Sequence, residues 1–101
     1  MRPIHLAVID KTRPVLVLTR EAVWPYLQRV TVAPITSRIR GISSEVEVGP
    51  RNGLDHESIV NCDGITSILT RNLGPQIGLL LDSQEPALAA AIQATFDLTL
   101  D

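Results

Sequence analysis

Arg13-Pro14 opens an unbroken apolar run, Val15-Leu16-Val17-Leu18, and a second strand-like stretch, Val30-Thr31-Val32-Ala33-Pro34-Ile35, ends on Thr36. A run without polar alternation reads as a strand buried on both faces. That reading leaves Arg13 at the mouth of one strand and the Thr36 hydroxyl at the end of its neighbour. A guanidinium presents a planar fork that matches two phosphate oxygens, and a hydroxyl adds a further donor, so this pair at one groove is suited to phosphate chemistry.

Two polar segments could line such a groove: Ser37-Arg38-Ile39-Arg40-Gly41-Ile42-Ser43-Ser44 and Arg51-Asn52-Gly53-Leu54-Asp55-His56. In an extended loop Arg38 and Arg40, two residues apart, point the same way and can follow a phosphate backbone. Asn52 and His56 carry groups able to read base edges, although Asn-Gly is also a common turn pair. The two histidines would suit acid-base cleavage of RNA, but His5 sits in an apolar stretch, where a satisfied structural imidazole is expected. Cys62 is expected to be a small buried hydrophobe. No metal-ligand spacing, Ser-His-Asp arrangement or glycine-rich phosphate loop is present, so no cofactor or metal is expected.

The elements that must hold these residues are mostly β. Ile4 to Ile9 and Pro14 to Thr19 read as strands joined by Asp10-Lys11-Thr12-Arg13, with Pro14 beginning the second, where a missing N–H is tolerated. Glu21 to Leu27 reads as a helical turn broken by Pro25. Val30 to Thr36 follows as a strand with an edge or bulge at Pro34. Glu45-Val46-Glu47-Val48 alternates strictly, which predicts buried valines and two solvated carboxylates. Ser58 to Cys62 and Ile65 to Leu69 read as strands about Asp63-Gly64, a hairpin turn pair, and Gly74 to Leu81 as the last strand. From Asp82 or Ser83 as N-cap, with Pro86 in the first turn, a helix is expected to run to Phe96. Leu88, Ile92 and Phe96 would form one stripe sealing the end of a small barrel.

With 101 residues, 45% of them apolar, the chain has the size of one domain, 1–101. No stretch approaches the roughly 18 apolar residues of a membrane helix, and the start leads into strand alternation, so a cytoplasmic protein is expected. The net charge of −2 conceals an asymmetry. Residues 1–44 hold seven cations against Asp10 and Glu21, net +5, and the remainder holds Arg51 and Arg71 against nine acids, net −7. A basic edge on an acidic body suits a local phosphate contact better than a long wrapped duplex.

Arg13-Pro14-Val15-Leu16-Val17-Leu18 followed by Val32-Ala33-Pro34-Ile35-Thr36 resembles the MazF/PemK toxins. The likeness continues through Glu57-Ser58-Ile59-Val60, Ile65-Thr66-Ser67-Ile68 and Leu73-Gly74 with Ile77-Gly78, in the family's order and spacing. It implies an SH3-like β-barrel of the CcdB/Kid/MazF kind with a C-terminal α-helix, a homodimer, and cleavage of single-stranded RNA, usually mRNA. Carried over by motif, the catalytic residues would be Arg13 and Thr36. RNA contacts would fall on the short first loop, Asp10, Lys11 and Thr12, and on Ser37, Arg38, Arg40, Asn52 and His56. The general base stays open between Asp10, a neighbour and water. The family also implies a MazE-like antitoxin whose acidic tail covers Arg13.

The chain departs from the family in its shortened first loop, in His5 where an aromatic residue is usual, and in Val8 where an aspartate is common. Aromatic residues are scarce, which moves RNA affinity from base stacking to hydrogen bonds. Two rival readings share the fold: a CcdB-like toxin that poisons DNA gyrase by protein contact, and a barrel that only binds RNA or a protein. The first relies on a C-terminal Trp-Gly-Ile, whereas this chain ends Phe96-Asp97-Leu98-Thr99-Leu100-Asp101.

Overall fold

A computed structural model describes residues 1–99; Leu100 and Asp101, the end of the segment compared above with Trp-Gly-Ile, lie outside the described residues. Among the described residues the strands are β1 (Arg2–Val8), β2 (Thr12–Val17), β3 (Arg29–Thr36), β4 (Glu45–Val48), β5 (Ser58–Asn61), β6 (Thr66–Leu69) and β7 (Leu73–Leu80), followed by helix α1 (Glu85–Phe96). The antiparallel sheet runs β4-β5-β3-β2-β1-β7, with β6 also on β3, and curls into a half-barrel capped by α1. No helix of the described residues is long and apolar enough to cross a membrane.

β3 is the hub. One side pairs with β2 through Val32, Ala33 and Pro34, while the other pairs with β6 through Arg29–Val32 and with β5 through Ile35 and Thr36. The expected hairpin at Asp63-Gly64 is therefore corrected: β5 and β6 do not fold back on each other but run in succession along β3. Cys62–Gly64 forms a 3-10 turn between them, with Asn61 Oδ1 accepting the Asp63 amide at 3.1 Å. The turn passes Pro34 where β3 is unpaired on that side, the interruption that the proline demands. Gly64 is required there, because a Cβ would stand 2.8 Å from Pro34 Cγ.

The apolar run is buried on both faces, as its lack of alternation predicts. Leu16 joins Ile4, Ala33, Ile35, Val60 and Leu80 inside the curl, and Val15 and Val17 join Val30, Val32 and Ile68 on the other face beneath Trp24 and Leu73. Each such side chain contributes about 1.5–3 kcal/mol relative to exposure. Cys62 is buried in the first cluster, and burial raises its thiol pKa. His5 has the expected structural role, its Nδ1 2.8 Å from the Gly74 carbonyl and its ring edge-on to Trp24.

Two expectations for the helix are corrected. A 3-10 turn over Asp82–Gln84 leads into α1, and Gln84, rather than Asp82 or Ser83, occupies the N-cap without a side-chain cap bond. Its amide oxygen instead accepts from the Leu81 amide and from Asn52 Nδ2. Leu88 and Ala91 are buried and Ile92 packs on the core, but Phe96 is 54% exposed. A four-residue step advances about 40° around a helix of 3.6 residues per turn, so the stripe has rotated off the sheet by its third member.

The sheet's two ends meet where the 3-10 turn Pro50–Asn52 lies against β7. Gly53, at φ 89, and Gly78 permit this approach, since a Cβ on Gly78 would overlap the Asn52 carbonyl oxygen. Asn52 fastens the closure. Its side chain accepts from the Gly49 amide at 3.1 Å and donates to the Leu79 carbonyl at 2.9 Å and to Gln84 Oε1 at 2.6 Å.

Candidate functional site

Arg13 lies one residue inside β2, paired with Ala7 of β1, rather than at the mouth of the run. Strand alternation turns Lys11 and Arg13 to one face and Thr12 to the other. Pro14 is tolerated inside the strand because the β2–β3 pairing begins only at Val15, leaving that side open. The Arg13 side chain is 30% exposed, and its terminal nitrogen lies 3.2 Å from each oxygen of the Asp10 carboxylate. Its Nε is buried with no partner among the described residues.

Thr36 closes β3, where pairing with Ile59 fixes its backbone. Its Oγ1 accepts the Arg38 amide at 3.1 Å, which leaves the hydroxyl hydrogen available to a ligand.

Two cavities flank this pair. One, of about 470 Å³, is lined by Lys11, Ser37, Asp55, His56 and Ser58, and the other, of about 350 Å³, by Pro34, Arg38, Arg40 and Asn61. Arg13 and Thr36 line both, and so form the wall they share. Arg38 and Arg40 reach the same cavity, as their two-residue spacing predicts.

Of the expected contact residues, Lys11, Ser37, Arg38, Arg40 and His56 gather at these cavities, and Asp10 reaches them through Arg13. Two expectations are corrected. Thr12 faces a separate apolar cleft with Val8 and Pro75, since alternation turns it away from Arg13. Asn52 is 1% exposed and its amide is engaged in the barrel closure, so it has no free edge for a base. His5 is held at Gly74 and Trp24 outside both cavities, so no pair of imidazoles forms.

Glu45 is also corrected: of the two glutamates expected in water, Glu47 is exposed, but the Glu45 side chain is only 3% exposed. Asp55 lies in a segment expected to line the groove and does so, whereas Ser58 and Asn61 belong to the cavities without having been expected. Asn61 in particular needs the β5–β3 pairing that the apparent hairpin concealed.

Two carboxylates beside the site are held in their charged form. Hydrogen bonds from the Asp10 and Lys11 amides, then the Arg13 charge, hold the Asp10 carboxyl below its ordinary range despite some desolvation. At Glu45 desolvation pushes upward, but amide bonds from Gly41 and Arg40 together with the Arg40 guanidinium outweigh it, so the net shift is downward. Among the described residues no group of three or more His, Cys, Asp or Glu could hold a metal ion. The arrangement offers a two-pronged cation and a hydroxyl donor on a ridge between two polar hollows, a shape that fits one phosphate of a strand with a nucleotide on either side.

A family model described as "PemK-like, MazF-like toxin of type II toxin-antitoxin system" matches residues 6–96. The chain is 59% identical over 98 residues to "Endoribonuclease MazF3" of Mycobacterium tuberculosis, covering 97% of this chain and 95% of the relative. Among solved structures, "Mycobacterium tuberculosis toxin MazF-mt6" superposes with a TM-score of 0.95 at 57% identity, covering 98% of this chain and 100% of that one. A mycobacterial endoribonuclease in complex with its cognate antitoxin shares the fold, at TM-score 0.83 and 20% identity over 99% of this chain and 95% of the other.

Proposed function

The chain belongs to the PemK-like, MazF-like toxins of type II toxin-antitoxin systems, and from that premise we propose that it is a sequence-specific endoribonuclease whose scissile phosphate binds between Arg13 and Thr36. The observation that carries the assignment of these residues is that they form the wall between the two cavities.

Attack of a ribose 2′-OH on the adjacent phosphorus gathers negative charge on the phosphoryl oxygens. The Arg13 fork takes two of them when its terminal nitrogen turns from Asp10 to the phosphate, and the Thr36 hydroxyl donates a third hydrogen bond. Each such donor typically lowers the barrier by roughly 2.7 to 4 kcal/mol. A guanidinium carries N–H donors and no acceptor, so Arg13 serves the leaving 5′-oxygen as a donor more readily than it serves the 2′-OH as a base. As the O2′–P bond forms and the P–O5′ bond breaks, the 2′-OH proton passes to a neighbouring base or water and one proton returns to the 5′-oxygen, giving a 2′,3′-cyclic phosphate and a 5′-hydroxyl with no metal in the step. The cavity with His56, Ser37 and Asp55 offers hydrogen bonds to base edges, and the one with Arg38 and Arg40 offers charge to the backbone.

One domain over residues 1–101 carries this activity in a cytoplasmic homodimer. Its partners are single-stranded RNA, mRNA above all, and a MazE-like antitoxin whose acidic tail competes for Arg13, Arg38 and Lys11. The relatives' endoribonuclease names support this reading over a gyrase-poisoning barrel.

The test is incubation of wild type, Arg13→Ala and Thr36→Ala with a long single-stranded RNA in EDTA, followed by mapping of cut sites and end groups. Cleavage at a short recurring sequence, leaving a 5′-hydroxyl and reduced a hundredfold or more in both variants, is expected. Cleavage indifferent to both substitutions would remove the two residues from the reaction.

A further inference from the structure

The loop joining β3 to β4 is tied down at both ends. At its start Thr36 Oγ1 holds the Arg38 amide at 3.1 Å. At its end Glu45 Oε1 accepts the Gly41 amide at 2.8 Å and the Arg40 amide at 3.1 Å, while Oε2 lies 3.4 Å from Arg40 Nε. Gly41 has φ 72 with open space where a Cβ would stand, so the glycine is needed for its backbone conformation, which aims two successive amides at one carboxylate.

A carboxylate this deeply covered is costly unless its oxygens are satisfied, and here the loop backbone satisfies them. Between the two anchors the Arg38 side chain makes no hydrogen bond or ion pair among the described residues, and it lines the second cavity with Arg13 and Thr36.

We propose that Glu45 is a positioning residue for RNA: by gripping the Arg40 and Gly41 amides it sets the loop so that Arg38 stands over the second cavity and holds the phosphate adjacent to the scissile one. The inference rests on the ribonuclease reading above and deepens it. Glu45 does not meet the substrate. It removes the loop's freedom before binding, so that the entropy of ordering Arg38 is not lost when RNA arrives. Because Thr36 anchors the same loop, the placement of Arg38 is also fixed relative to the reacting phosphate.

A double-mutant cycle tests this. Wild type, Glu45→Gln, Arg38→Ala and the double variant are compared in steady-state cleavage of an RNA carrying the mapped cut sequence. Binding to the same RNA with a 2′-O-methyl group at the cut site and thermal unfolding are measured alongside. Glutamine keeps the size of the side chain and one oxygen for the loop, but it removes the charge that strengthens both amide bonds and sets an N–H donor against Arg40 Nε.

The expected result is a KM about tenfold higher in Glu45→Gln with kcat within about twofold, and an Arg38→Ala penalty largely lost in the Glu45→Gln background. Independent, multiplying penalties, or a fall in kcat with KM unchanged, would overturn the proposal. If Glu45→Gln does not fold, Glu45→Asp, which keeps the charge with a shorter reach, enters the same cycle. Should folded wild type cleave no RNA, the ribonuclease reading fails, while the binding cycle on the unreactive RNA still decides whether Glu45 and Arg38 are coupled.

Discussion

The Asp10 carboxylate lies 3.2 Å, through each of its oxygens, from the terminal nitrogen of the Arg13 guanidinium, across the turn between β1 and β2. A carboxylate there engages one prong of the fork that a phosphate would take, so the free protein holds a partial competitor at the site. The same turn is the shortened first loop, which places the acid three residues before Arg13.

Asp10→Asn is expected to lower KM for RNA several-fold and to leave kcat within about twofold, since an amide competes poorly for the guanidinium. Amide hydrogen bonds and Arg13 lower the Asp10 pKa, so its contribution to stability is present above the ordinary aspartate pKa and is lost as pH falls through the lowered one. The latch is thus closed at neutral pH and opens only in acid. Steady-state cleavage by wild type and Asp10→Asn from pH 3 to 8, a range that extends below the ordinary aspartate pKa, checks this; a collapse of kcat together with loss of an acidic limb would make Asp10 the general base instead.

Conservative replacements separate geometry from charge at the phosphate. Arg13→Lys keeps the cation but loses the fork, so kcat/KM should stay within about tenfold of Arg13→Ala. Thr36→Ser keeps the hydroxyl and its bond to the Arg38 amide, and should retain most of the activity that Thr36→Ala loses. Single-turnover cleavage with saturating enzyme measures both.

Salt dependence distinguishes phosphate contacts from base contacts. For single strands the slope of log K against log salt falls by about 0.7 for each phosphate contact removed. Arg38→Ala and Lys11→Ala should each flatten the slope by roughly that amount, while His56→Ala should change cut-site preference and leave the slope as it is. Fluorescence anisotropy with a 2′-O-methyl RNA across a salt series reads the slopes.

Asn52→Ala should act on stability alone. It removes the side-chain partner of the Gly49 amide and the Leu79 carbonyl at the barrel closure, while Gln84 Oε1 keeps only its bond from the Leu81 amide, and each unsatisfied buried group costs about 1–3 kcal/mol. Denaturant unfolding should show a loss of roughly 3 kcal/mol, with KM and cut-site preference unchanged where the variant remains folded. A shift in sequence preference would return Asn52 to the RNA.

By itself the sequence determined the features that depend on neighbouring residues. The unalternated run Val15 to Val17 had to be buried on both faces, and Pro34 had to interrupt a ladder, because strand periodicity and the missing proline N–H act within a few residues. The Arg13 and Thr36 motifs carried the family for the same reason. Only the tertiary structure decided what depends on residues distant in the chain. Asp63-Gly64 has the composition of a hairpin turn, yet β3 offers both flanking strands a longer partner. Glu45 has the alternation of a solvated acid, yet the Gly41 turn brings two amides over it. Asn52-Gly53 has the look of a surface turn, yet Gly78 on β7 lets that turn close the barrel. In each case a local preference worth about a kilocalorie yields to hydrogen bonds and burial that exist only once the sheet has curled.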